Sequence, residues 1–138
     1  MSTAAGALMK IRVLLIDDEG GVCEMLKCGL ERTGRYEVGY ATDGPTGLRM
    51  ARTDSPDLIL LDVCMPKMSG LEILRTLKSA PPLLDIPVIM FSGQPNETLI
   101  QECNLLYGED YLTKPVTLTE LKTRIESVLL RTGRLVAS

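Results

Sequence analysis

Five side chains, placed where strand-like segments stop, have the types that act on a phosphorus centre. Asp17 and Asp18 follow Ile11-Arg12-Val13-Leu14-Leu15-Ile16, with Glu19 next. Asp62 follows Leu58-Ile59-Leu60-Leu61, Ser92 follows Val88-Ile89-Met90-Phe91, and Lys114 follows Asp110-Tyr111-Leu112-Thr113. Brought together, Asp17, Asp18 and Asp62 repel one another, so a cation must compensate or one acid must stay protonated. A hard divalent ion with oxygen ligands suits such a group, and Mg²⁺ favours one or two carboxylates with waters and phosphate oxygens. Lys114 adds a fixed positive charge and Ser92 a hydroxyl donor. Together they suit phosphoryl transfer, in which positioning and charge neutralisation do most of the work. A carboxylate such as Asp62 can itself be the nucleophile and form an acyl phosphate.

The elements that must hold these residues can be read from the pattern. The run ending at Asp62 is short, uninterrupted and bounded by prolines, as in a strand buried on both faces. An acid is costly inside such a core, so Asp62 belongs at the strand's carboxyl end, where open α/β sheets put their ligand crevice. Gly20-Gly21 end the first strand, and Val22, Met25, Leu26 and Leu30 recur at helical spacing. Tyr36 to Ala41 alternates as a strand. Thr42 or Asp43 caps a helix carrying Leu48 and Ala51 inward. Ser69 with Glu72 forms a capping box for a helix whose buried stripe is Leu71, Leu74 and Leu77. Ile86 to Phe91 reads as the fourth strand. Asn96 caps a helix to about Leu106, Asp110 to Thr113 is a fifth strand, and Thr117 or Thr119 caps a last helix with Leu121, Ile125, Val128 and Leu129 on one face.

Five strands alternating with five helices call for a doubly wound α/β domain with a parallel sheet. In such a sheet the carboxyl ends share one edge, so the acids, serine and lysine converge. Residues 1–9 read as a loose tail, 10–131 as the domain and 132–138 as a short C-terminal tail.

Composition narrows the function classes. The chain has 138 residues, net charge -3 and 45% hydrophobic content, which fits one soluble domain. Its acidity argues against direct binding of nucleic acid or an anionic membrane surface. No apolar run approaches a membrane span and the N-terminus has no signal-peptide order. The absence of histidine removes Ser-His-Asp and Cys-His catalysis. Cys23, Cys28, Cys64 and Cys103 lack zinc spacing and read as reduced thiols of a cytoplasmic protein, with Cys23 and Cys28 as small buried apolar residues.

Taken in order, Val13-Leu14-Leu15-Ile16-Asp17-Asp18-Glu19, Leu60-Leu61-Asp62-Val63-Cys64-Met65-Pro66 with Gly70, Phe91-Ser92-Gly93 and Tyr111-Leu112-Thr113-Lys114-Pro115 resemble the receiver domain of two-component response regulators. The resemblance covers about residues 10 to 131. It implies a flavodoxin-like (βα)5 fold with strand order 2-1-3-4-5. It implies that Asp62 accepts phosphate from a histidine of a sensor kinase or histidine phosphotransfer protein. Asp18 then ligates Mg²⁺ directly, Asp17 through water, and the backbone carbonyl of Cys64 is a further ligand beside Asp62. Ser92 and Lys114 bind the phosphoryl group, Lys114-Pro115 is cis, and Tyr111 is the aromatic switch. The face of the fourth helix, fifth strand and fifth helix then changes its preference for a downstream protein. Part of the last helix's stripe is also a candidate homodimer face. Cys64 and Gln94 depart from the family's commoner side chains at positions that influence how quickly water reaches the acyl phosphate. Gly108 stands one place later than usual.

Each residue alone has a plainer reading. Asp17-Asp18 could cap a helix, Ser92 is an ordinary turn residue, Lys114 an ordinary surface lysine and Tyr111 an edge-of-core aromatic. Their order lifts them. Two rivals remain on the same residues: a Mg²⁺-dependent phosphohydrolase, and a degenerate receiver that binds partners without phosphate. The hydrolase type places its two acids two residues apart in one loop, whereas here they are adjacent. A flavin-binding protein of similar fold lacks support, with no Trp and one Phe.

Overall fold

The strand-end acids and the lysine are carried by the sheet of a computed structural model that describes residues 9–93, 97, 98, 100, 101 and 110–135. Strands β1 (Ile11–Ile16), β2 (Tyr36–Ala41), β3 (Leu58–Asp62), β4 (Val88–Ser92) and β5 (Asp110–Thr113) form one sheet in the order β2-β1-β3-β4-β5. Every pairing is parallel. The expected doubly wound sheet is therefore the one observed. Chain direction across the sheet reverses between β1 and β3, and the crevice of such a fold opens at that reversal.

The apolar runs are continuous because both faces are covered. Val13, Leu15, Leu58, Leu60, Ile89 and Phe91 join one core, under α1 (Gly20–Glu31) and the C-terminal helix (Leu118–Arg131). Their alternates Leu14, Ile16, Ile59, Leu61, Val88 and Met90 join the other, under α2 (Gly44–Asp54) and α3 (Gly70–Lys78). A strand with apolar residues at every position has no solvated face.

Capping follows the local sequence. Asp43, not Thr42, accepts the Thr46 N–H, and a proline in the first turn suits α2. Ser69 and Glu72 close the expected capping box on α3. Thr117 caps the C-terminal helix by accepting from the Glu120 N–H.

The phase of two helices differs from expectation. In α1 the buried residues are Cys23, Leu26 and Leu30, while Met25 is 63% exposed. In α3 they include Ile73, Leu74 and Leu77, and Leu71 is only half-buried. Periodicity finds a stripe, but its centre depends on which sheet residues lie beneath. Cys28 is exposed, not buried. The fourth strand begins at Val88, because Pro87 has no N–H for the ladder. The C-terminal helix matches its pattern: Leu121, Ile125, Val128 and Leu129 are all buried in the chain's own core. That stripe is therefore not a free dimer face. The helix expected from Asn96 to about Leu106 lies largely outside the described residues, although Glu97, Thr98, Ile100 and Gln101 are helical. Gln94, Cys103 and Gly108 also lie outside them.

Candidate functional site

Each site residue stands at or just beyond the last rung of its ladder. The Asp17 N–H donates to the Ala41 carbonyl at 3.1 Å, which extends the β1–β2 pairing by one step. Asp62 ends β3 opposite Phe91, and the next N–H, of Val63, donates to the Phe91 carbonyl at 3.1 Å. Ser92 ends β4 opposite Thr113, and the Lys114 N–H donates to the Ser92 carbonyl at 2.8 Å. The sheet thus carries its regular geometry up to the site, and the side chains inherit its precision.

Lys114 ties the acids together. Its Nζ donates to Asp17 Oδ2 at 2.9 Å and to Glu19 Oε1 at 3.1 Å, and lies 3.5 Å from Asp62 Oδ2. Beneath it the Phe91 ring centroid is 4.8 Å away, a cation–π contact. Burial alone would lower the lysine's pKa. The hydrogen bonds to Asp17 and Glu19 and the charges of Asp17 and Asp62 outweigh it, so Lys114 stays firmly protonated. The Lys114-Pro115 peptide is cis, as is Pro81-Pro82.

Asp17 and Asp62 are buried, at 1% and 3% exposure, while Asp18 is exposed. Asp17 does not act as a cap for α1: Glu19 holds the N-cap position without a side-chain cap bond. One Asp17 oxygen instead accepts the Glu19 N–H at 3.0 Å and the other accepts from Lys114. Asp62 Oδ1 accepts the Cys64 N–H at 2.9 Å. Burial pushes the Asp62 carboxyl up to about 6. The Cys64 N–H opposes that, the neighbouring Asp17 charge adds to it, and Lys114 draws it back.

Ser92 is fully buried, and its Oγ lies 3.1 Å from the Sγ of exposed Cys64. Tyr111, opposite Met90, is half-buried against the α2–α3 core. The structure therefore gathers Asp17, Asp18, Asp62, Lys114, Ser92 and Cys64 at one edge. Tyr111 stands one strand outward, within β5.

Two further contributors escape a reading of residue types. Glu19 is a direct partner of Lys114, and its signal was only its place after Asp17-Asp18. Cys23 lies behind the acids: its Sγ donates to the Asp17 carbonyl at 3.4 Å. Burial, and then the Asp17 charge, pushes that thiol up to about 12, so it remains protonated and inert. Gly70 packs so closely under the loop after Asp62 that a Cβ there would lie 2.3 Å from Val63 Cα and 2.5 Å from the Asp62 carbonyl oxygen.

The donor set fits a magnesium ion. Ligand oxygens of Asp17, Asp18 and Asp62 lie within 4.8 Å of one another. They are hard donors, and the single ammonium of Lys114 is shared with Glu19, which leaves negative charge in excess. No helix among the described residues is long and apolar enough to cross a membrane.

Known proteins resemble this chain in sequence and in fold. The family model of the response regulator receiver domain matches residues 13–126. The alkaline phosphatase synthesis transcriptional regulatory protein PhoP of Bacillus subtilis is 36% identical over 124 residues, covering 89% of this chain and 50% of PhoP. The response regulator MprA of Mycobacterium ulcerans is 38% identical over 125 residues, covering 90% of this chain and 52% of MprA. The chain thus spans about half the length of these relatives. Among solved structures, the receiver domain protein of Methanospirillum hungatei superposes with a TM-score of 0.84 at 26% identity, covering 91% of this chain and 98% of that one. The chemotaxis protein CheY4 of Vibrio cholerae gives 0.83 at 28% identity, covering 88% of this chain and all (100%) of that one. With its sheet order, its strand-end acids and lysine, and a family match over most of its length, this chain belongs to the response regulator receiver domain family, whose members are signalling phosphoacceptors.

Proposed function

We propose that Asp62 accepts a phosphoryl group from a histidine of a partner kinase or phosphotransfer protein, within a receiver unit at residues 10–131. The observation that carries this is the convergence of Lys114 on Asp17 and Asp62 at the switch point between β1 and β3. One Asp62 oxygen is held by the Cys64 N–H, and the other faces Lys114. An Asp62 oxygen forms the new P–O bond as the donor's P–N bond breaks, and that electron pair returns to the imidazole nitrogen. Lys114 neutralises charge on the phosphoryl oxygens, and Ser92 donates its hydroxyl to one of them.

Asp17, Asp18, Asp62 and the Cys64 carbonyl would hold Mg²⁺, with Asp17 acting through water. Bound there, the ion neutralises the carboxylates and screens the incoming phosphate. Movement of Ser92 toward the phosphate lets Tyr111 turn inward. The face around the segment before β5, β5 and the C-terminal helix then favours a downstream protein. Such a shift requires the phosphate to stabilise one of two states over the other. The domain itself needs no contact with nucleic acid, and free phosphate esters are not turned over. Neither the phosphohydrolase nor the degenerate-receiver reading gains any specific support.

Intact-mass spectrometry after incubation with Mg²⁺ and a small phosphodonor tests this on wild type and Asp62→Ala. The expected result is one phosphate-sized adduct, labile to base and lost in Asp62→Ala. A wild type that binds Mg²⁺ yet gains no adduct from either the small donor or a phosphorylated histidine protein would overturn the reading.

A further inference from the structure

Cys64 touches both the acceptor and the switch hydroxyl. Its N–H donates to Asp62 Oδ1 at 2.9 Å, and its Sγ lies 3.1 Å from Ser92 Oγ. The Ser92 backbone is fixed by its pairing with Thr113 and by the Lys114 N–H on its carbonyl. With the backbone held, the direction of the hydroxyl is set by rotation about χ1. That hydroxyl has one proton and two lone pairs. To donate to a phosphoryl oxygen on Asp62 it must leave or re-form its contact with the thiol.

Resting on the reading of Asp62 as phosphoacceptor, we propose that Cys64 is a positioning residue whose thiol holds the Ser92 hydroxyl in its resting orientation and so opposes the phosphorylated state. This differs from control of water access, which alters how fast an acyl phosphate hydrolyses and needs no contact with Ser92. Cys64 is an exposed residue while Ser92 is buried, so substitution at Cys64 removes the contact without opening the core. A thiol–hydroxyl contact is weak, so its loss corresponds to roughly a two- to fivefold change in an equilibrium constant.

Beryllofluoride, a phosphoryl mimic that does not hydrolyse, separates the two effects. Its affinity is measured calorimetrically with Mg²⁺ present for wild type, Cys64→Ala and Cys64→Ser, each with and without Ser92→Ala. The expected result is tighter binding by about two- to fivefold in Cys64→Ala. Cys64→Ser, which keeps a hydrogen-bonding group at nearly the same place, binds no tighter than wild type. In the Ser92→Ala background Cys64→Ala makes no further difference. An unchanged affinity in Cys64→Ala, or the same gain in both backgrounds, overturns the inference and leaves the acceptor reading standing if wild type still takes its adduct on Asp62. A wild type that binds no beryllofluoride and gains no adduct overturns both.

Discussion

At the scale of single residues, Asp62 is held against its own preference. Its carboxyl is pushed up to about 6, first by burial, then by the Asp17 charge. An acid whose folded pKa lies above its unfolded value of about 3.9 binds more protons in the native state between those two values. Stability therefore falls as pH rises through that window, by an amount on the order of 2–3 kcal/mol for a shift of about two units. Without divalent ions, Asp62→Asn should be more stable than wild type at pH 7, by roughly 1–3 kcal/mol. The gap should close as pH falls below about 4. Urea melts at pH 7 and pH 4 in chelator check this, and a gap that widens at low pH contradicts it. The acid is thus destabilising to the fold and present for its chemistry, as expected where function sets the residue.

At the scale of elements, the site depends on how α3 begins. Ser69 and Glu72 cap it, and the Gly70 N–H donates to the Val63 carbonyl at 3.3 Å. The helix start therefore lies directly under the loop that carries Cys64, and the Gly70 position has no room for a Cβ. Because the close atoms are backbone, Gly70→Ala must displace the Asp62–Val63 chain. The expected cost is about 1–3 kcal/mol by the usual penalty for overpacking. A loss of adduct formation larger than the stability loss explains should accompany it, because the Cys64 N–H is moved off Asp62. Denaturant melts and the mass assay on the same sample check both. Unchanged values in both would mean that the loop yields at no cost.

At the scale of the whole molecule, two cores clamp a sheet whose upper edge carries excess negative charge. Ser92, Asp62 and Asp17 are the buried polar side chains among the described residues, and all three face that edge. A cation that binds the folded edge and not the unfolded chain stabilises the fold by mass action. With Mg²⁺ at about a hundredfold excess over its dissociation constant, the gain is about 3 kcal/mol, or several degrees in Tm. The measurement is thermal melting with and without Mg²⁺. The shift should vanish on chelation and shrink strongly in Asp62→Asn. A wild-type Tm indifferent to Mg²⁺ would remove the metal from the account.

Much of the site is legible in the sequence. Apolar runs such as Leu58 to Leu61 must be buried on both faces, and an acid directly after one can only stand at the sheet's edge. That argument needs local pattern alone, and it places Asp17 and Asp62; Ser92 ends a run of the same kind, whereas Lys114, after Asp110-Tyr111-Leu112-Thr113, is placed by the alternation of strands and helices. The β2-β1-β3-β4-β5 order did not follow from the pattern, which is blind to which strands are neighbours; it came with the family resemblance. Tertiary structure alone decided contacts between residues far apart in the chain: Glu19 on Lys114, Cys64 on Ser92, and Gly70 against Val63. It also decided that Cys23 faces the core while Met25 and Cys28 face out. The reason is the same in each case. Periodicity and strand ends are properties of one segment, whereas the phase of a helix and the partner of a side chain belong to whatever packs against it.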